Sequence, residues 1–167
     1  MRAGACREFL IHLDRECELE VGSSPKTVAN WLDKANLPWD LAQLLRFDWP
    51  QKGAEIHGRG IRIAAAKDIL ANEFRKDLQR HGFLPIGSAP NGDMLVVRCD
   101  AQPCEVGYIT HEEYWEHKDD PQLAYQRIAR SLDSLLYRII EHRYVPIDYY
   151  SAKEFNEFLA EENGKPG

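Results

Sequence analysis

Residues Gly82–Ile109, GFLPIGSAPNGDMLVVRCDAQPCEVGYI, are the part of the chain whose reading decides the fold. Phe83-Leu84-Pro85-Ile86 is a short apolar run, Pro90-Asn91-Gly92-Asp93 carries turn chemistry, and Met94-Leu95-Val96-Val97 is apolar at consecutive positions. Two apolar runs joined by such a turn predict a β-hairpin. Asn and Gly accept the positive φ of a tight return, whereas Pro90 lacks an N–H and belongs in the turn or at a strand end. Side chains alternate across a strand, so Met94 and Val96 face one way and Leu95 and Val97 the other. Apolar residues on both sides predict a central strand covered on both faces. After Asp100-Ala101-Gln102-Pro103, the run from Cys104 to Ile109 adds a third consecutive antiparallel strand.

Upstream, Ala64 to Arg80 is rich in helix formers, with Ala66, Leu70, Phe74 and Leu78 on one face and Gly82 closing the helix. Gly53 to Gly60 is looser, and Glu55-Ile56-His57 and Ile61-Arg62-Ile63 read as two short strands or irregular loop. The first 50 residues read as mostly helical. Phe9, Leu10, Leu13 and Cys17 form one stripe, and Ser24-Pro25 opens a second helix with Val28, Trp31, Leu32 and Ala35. Leu37-Pro38-Trp39-Asp40 starts a third over Leu41, Leu44 and Leu45. Downstream, Thr110 is placed to cap a short helical turn over His111 to Trp115. Ile128, Leu132, Leu135, Leu136 and Ile139 fit a helical stripe that starts either near Leu123 or later, at a Ser131 cap. Ser151 to Glu154 reads as a capping box opening a last helix, and residues 161–167 are expected to fray.

The totals are those of one ordinary domain: 167 residues, 44% hydrophobic and 29% charged. The net charge of −6, from 27 acidic and 21 basic residues, disfavours nucleic acid or an anionic membrane as partner and favours a basic protein. No apolar run approaches the roughly 18 residues of a membrane span, and no leader is recognisable, so the expected location is cytoplasmic. Cys6, Cys17, Cys99 and Cys104 are accordingly expected as free thiols.

Signs of catalysis are few. His111-Glu112 invites comparison with zinc-protease helices, but position 115 is Trp, and His117 lies about 240° further around a helix. Cys99 and Cys104 have no accompanying ligand pair, and Gly53 to Gly60 lacks the pattern that grips a nucleotide. Trp31, Trp39 and Trp49 read as packing residues, since basic residues do not interleave with them along the chain. No cofactor, metal or catalytic set is expected. The enzymatic alternative is a small hydrolase using His111 or His57 with nearby carboxylates. The strongest bias is acidic: Asp100, Glu105, Glu112, Glu113, Glu116, Asp119 and Asp120 face a single Lys over 21 positions, with Tyr108, Tyr114 and Trp115 among them. These ten residues are the candidate partner-binding set, because charge steers encounter and aromatic residues supply central binding energy. An ordinary solvated face is the competing reading.

The order of motifs resembles the SUKH superfamily, which joins fungal cell-wall-assembly regulators to bacterial toxin-immunity proteins. The resemblance rests on Gly82-Phe83-Leu84-Pro85-Ile86-Gly87, then Asn91-Gly92-Asp93 and an apolar strand. Val106-Gly107-Tyr108-Ile109-Thr110-His111 and Ser131-Leu132-Asp133-Ser134-Leu135-Leu136 follow in the same order. It implies a single α+β domain with a mainly antiparallel central sheet flanked by helices, spanning residues 37–160 after a helical extension over 1–36 and before a frayed tail over 161–167. It further implies a non-enzymatic protein-binding role. The expected function is that of an immunity protein neutralising a toxin, such as a basic nuclease, by occlusion. A regulatory scaffold of the same fold binding an intracellular enzyme is the alternative.

Overall fold

The structure, a computed structural model, describes residues 3–56 and 60–164. It is a single α+β domain whose centre is a six-stranded antiparallel sheet. The strands follow one another in chain order: β3 (Ala54–Glu55), β4 (Arg62–Ile63), β5 (Phe83–Ser88), β6 (Met94–Arg98), β7 (Glu105–Ile109) and β8 (Tyr125–Ala129). A separate two-stranded ribbon pairs β1 (Val21–Gly22) with β2 (Trp49–Pro50). Around them lie α1 (Ala3–Cys17), α2 (Lys26–Leu32), α3 (Trp39–Phe47), α4 (Ala66–Ala71), α5 (Arg75–Arg80), α6 (His111–Glu116), α7 (Leu132–Ile140) and α8 (Tyr149–Gly164).

The β5–β6 hairpin forms where the turn chemistry places it. Gly92 takes φ +89, its N–H donates to the Ala89 carbonyl at 3.1 Å, and the Ala89 N–H donates to the Asp93 carbonyl at 2.8 Å. β6 lies between β5 and β7 and is buried on both sides. Leu95 and Val97 join one hydrophobic cluster with Tyr108, Leu135 and Leu136, and Met94 and Val96 join another with Phe83, Ile109 and Tyr114. Two glycines let neighbouring strands approach closely: a Cβ at Gly87 would stand 2.0 Å from the Arg62 carbonyl oxygen, and one at Gly107 2.2 Å from the Gln126 carbonyl oxygen.

Asp93 does more than end the turn. It is 3% exposed; its Oδ2 accepts from the Asn91 side-chain amide at 2.9 Å and from the Tyr149 backbone N–H at 2.9 Å. The second bond satisfies one of the orphan amides at the start of α8 and ties that helix to a turn 56 residues away in sequence.

Several expectations change. The helix foreseen over Ala64 to Arg80 is broken into α4 and α5, because the Asn72 side-chain oxygen accepts the Phe74 N–H at 2.9 Å and offers the backbone a turn instead. Ile128 belongs to β8; α7 starts late, at the Ser131–Ser134 capping box. α8 begins a turn before the expected Ser151 cap: Asp148 Oδ1 accepts the Ser151 N–H at 2.8 Å and Ser151 Oγ accepts the Asp148 N–H at 3.1 Å. Neither Thr110 nor Ser24 caps its helix through its hydroxyl, and that of Ser24 donates to the Leu45 carbonyl. α1 packs on α7 and places Cys6, Leu10 and Leu13 in the same core cluster as the sheet. α8 continues to Gly164, and the remainder of the tail lies outside the described residues, as does His57. The four cysteines are free thiols. Burial pushes the Cys6 and Cys99 thiols up to about 12, which keeps them protonated. Among the described residues no helix is long and apolar enough to cross a membrane.

Candidate interaction surface

β7 delivers the chain into α6, a helix of six residues with Glu112 and Glu113 in its first turn, where a carboxylate complements the helix dipole. Successive helical residues point about 100° apart, so Tyr114 and Trp115 cannot both face inward. Tyr114 does: it is 1% exposed, stacks edge-on against Phe74 at 5.5 Å, and donates its hydroxyl to Asp77 on α5. Burial, and next the hydrogen bond to Asp77, push the Tyr114 phenol up, while that same bond is the main cause holding the Asp77 carboxyl below its ordinary range.

Trp115 is turned outward and is 59% exposed. Its ring leans on Tyr114 at 5.5 Å and Phe74 at 6.0 Å, and the Lys118 ammonium lies 5.4 Å from its centroid. A cavity of about 400 Å³ opens beside it, lined by Glu73, Phe74, Asp77 and Lys118 as well as the two α6 aromatics. Glu112, Glu116, Asp119 and Asp120, on the same helix or in the turn just after it, are exposed as well. Tyr150, from the first turn of α8, donates its hydroxyl to Glu112 Oε2 at 2.9 Å, a bond that raises its phenol pKa and brings a second exposed aromatic to the acidic rim.

The ten candidate residues therefore divide. Glu112, Trp115, Glu116, Asp119 and Asp120 lie on or just after α6 and are exposed, with Glu113 half-buried beside them. Tyr108 and Tyr114 present no ring to a partner and must be removed from the set. Tyr108 lies in step with Val106 on the inner face of β7, 0% exposed, with its hydroxyl donating to the Pro146 carbonyl at 3.2 Å. Asp100 and Glu105 sit at the β6–β7 connection, roughly 13 Å down the strand from α6. Each is engaged by an arginine, Asp100 with Arg98 and Glu105 with Arg127, both at 2.8 Å. The acidic run that is continuous in the sequence is thus divided by the fold into two regions.

His111 packs edge-on against Phe74 at 5.5 Å and has no hydrogen-bond or ion-pair partner among the described residues. His117 instead meets Glu113 at 3.5 Å, and with Glu116 these form a trio whose ligand atoms lie within 4.8 Å of one another. Spacings of three and four residues on one helix gather such groups without any ion. Of the three tryptophans expected to pack, Trp49 is fully buried and donates its indole N–H to the Ala64 carbonyl at 2.9 Å, and Trp31 lies under the Arg75 guanidinium at 5.0 Å. Trp39 departs from that expectation, being 72% exposed at the start of α3.

No family model, no curated protein and no solved structure matches the chain.

Proposed function

We propose that the chain is a non-enzymatic, cytoplasmic protein-binding domain that acts as an immunity protein, neutralising a basic toxin by covering its active face. The observation that carries this reading is Trp115, an indole 59% exposed on α6, supported from below by Phe74 and Tyr114, with the exposed carboxylates of Glu112, Glu116, Asp119 and Asp120 on or just after the same helix. An exposed, well-supported aromatic supplies a binding anchor at little cost in side-chain entropy, and Glu112, Glu116, Asp119 and Asp120 attract a cationic partner. The net charge of −6 acts in the same direction. The resemblance to the SUKH superfamily, carried by Gly82 to Gly87, Asn91 to Asp93 and Ser131 to Leu136, points to the same role.

Inhibition on this reading is steric and electrostatic: the α6 surface occupies the toxin's basic substrate-binding face and no bond is made or broken. The test is co-expression with the toxin encoded beside this protein. Protection of the cells and copurification of the pair are expected, with Trp115→Ala weakening the complex by about 2 kcal/mol, roughly 30-fold. A toxin that neither copurifies nor is neutralised overturns the immunity role. Recovery of a host enzyme in its place makes the domain a regulatory scaffold.

A further inference from the structure

The acidity of the chain makes a second region conspicuous. Between β8, α7 and α8 runs a groove of two adjoining compartments, about 400 and 540 Å³, which share Arg127, Arg130 and Asn156 in their walls. Arg138 lines the first and Arg98 the second, so four arginines line this one groove in a protein of net charge −6. Like charges gathered in this way repel one another, and only part of that repulsion is relieved internally. Asp100 holds Arg98 and Glu105 holds Arg127, each at 2.8 Å. Arg138 gives one N–H to the Ile128 carbonyl at 3.2 Å and meets no carboxylate among the described residues, while Arg130 has no hydrogen-bond or ion-pair partner there.

We propose that this groove binds a phosphorylated small molecule, its phosphate held by Arg130 and Arg138 and its organic part laid against Phe155. The guanidinium fork matches phosphate oxygens two at a time, so two arginines that meet no carboxylate among the described residues are a natural phosphate clamp. The adjacent electrostatics have the same sign: Ser134, in the first turn of α7, also lines the 400 Å³ compartment, placing the partial positive end of that nine-residue helix beside the arginines. The walls are fixed, because the Asn156 amide donates to the Arg127 carbonyl at 3.0 Å and to Gln126 Oε1 at 3.3 Å, clamping α8 across the edge strand. Half-buried Phe155 supplies an aromatic wall, and both compartments fall in the size range of small-molecule sites. The groove lies on other elements than the α6 surface and has the opposite charge, so it stands whether or not a toxin is bound there.

Calorimetric titration of the purified chain with ADP, pyrophosphate and adenosine tests this. ADP is expected to bind more tightly than pyrophosphate by about tenfold, with adenosine giving no measurable heat. Arg130→Gln and Arg138→Gln should each weaken ADP by roughly tenfold or more, whereas Lys76→Gln, in a different cavity, should leave it unchanged. Arg130 has no hydrogen-bond or ion-pair partner among the described residues, so its variant should keep the wild-type unfolding midpoint and exclude misfolding as the cause. Equal affinity for pyrophosphate and ADP would overturn the organic contact while supporting the phosphate clamp. Absence of heat with both, or undiminished ADP binding by the double variant, would overturn the proposal.

Discussion

The two faces of the central sheet are covered by different means. On one, Leu95, Val97 and Tyr108 lie beneath α7 and α8, with α1 packed on α7 and α3 on α1, so the core continues through two helical layers. On the other, Met94, Val96, Phe83 and Ile109 are closed by a thinner cover, in which α5 and α6 have six residues each. Helices that short gain little from their own hydrogen bonds and depend on what anchors them. The anchors are Phe74, Tyr114 and the Tyr114–Asp77 hydrogen bond. One face therefore carries most of the core, and the thin face leaves an aromatic side chain, Trp115, in solvent.

Truncations in β6 test that contrast most directly, because neighbouring residues report on opposite faces. Leu95→Ala is expected to cost about 3–4 kcal/mol in urea unfolding and Met94→Ala about 2 kcal/mol, since the thicker layer closes less readily around a cavity and Met was the more adaptable occupant. Equal losses would break the contrast.

Asp93 connects the hairpin to the thicker layer. Asp93→Ala removes a buried acceptor from the Asn91 amide and the Tyr149 N–H, and a loss of about 2 kcal/mol is expected. Hydrogen exchange should show the loosening at Tyr149 to Ala152 before it reaches β6. A uniform change in both would mean that the contact contributes to global stability without holding α8 locally.

How far the chain could be read follows the range of the forces involved. The alternation of Met94 to Val97 is a two-residue period, and the Asn91-Gly92 turn and Ser131 cap are local chemistry, so all three were legible. β8 was not. Its register shifts opposite Val106 and Gly107, so Ile128 and Ala129 are both buried and the alternation that marks a strand is lost. The break at Asn72 depends on a single side chain competing for a backbone amide within a sequence that otherwise favours helix. Tyr108 shares the parity of buried Val106, so its burial was implicit in the strand pattern. That of Tyr114 was not, because only the position of α5 decides which side of α6 is inner. The arginine groove was equally hidden: Arg98 and Arg138 are 40 positions apart and reach adjoining compartments of one groove only through the fold.

The Tyr114–Asp77 bond offers a smaller and more specific test. Tyr114→Phe keeps the ring and removes the hydroxyl, and should cost about 1 kcal/mol near neutral pH. Asp77 titrates below its ordinary value in the folded chain, so its contribution is complete above about pH 4, the unfolded value, and is lost as pH falls through the folded value. The Tyr114 phenol is raised, so its contribution is complete below about pH 10 and is lost as pH rises beyond it. The stability difference between wild type and Tyr114→Phe should accordingly be flat from about pH 5 to 9 and shrink on both sides. A difference that persists unchanged at pH 3 would show that the hydroxyl acts through packing and not through the carboxylate.

The smallest expected effect carries the most information about recognition. Trp115 is supported by Phe74 and Tyr114 but supports nothing beneath it, because Tyr114 already closes the cluster at 1% exposure. Trp115→Ala should therefore change the unfolding free energy by no more than about 0.5 kcal/mol, a value typical of surface positions. A loss above roughly 2 kcal/mol would make the indole part of the thin face's cover, and its exposure a by-product of a helix too short to turn it inward. Stability left intact would mean that a large apolar ring is held in solvent without serving the fold, which is the condition a binding anchor has to meet.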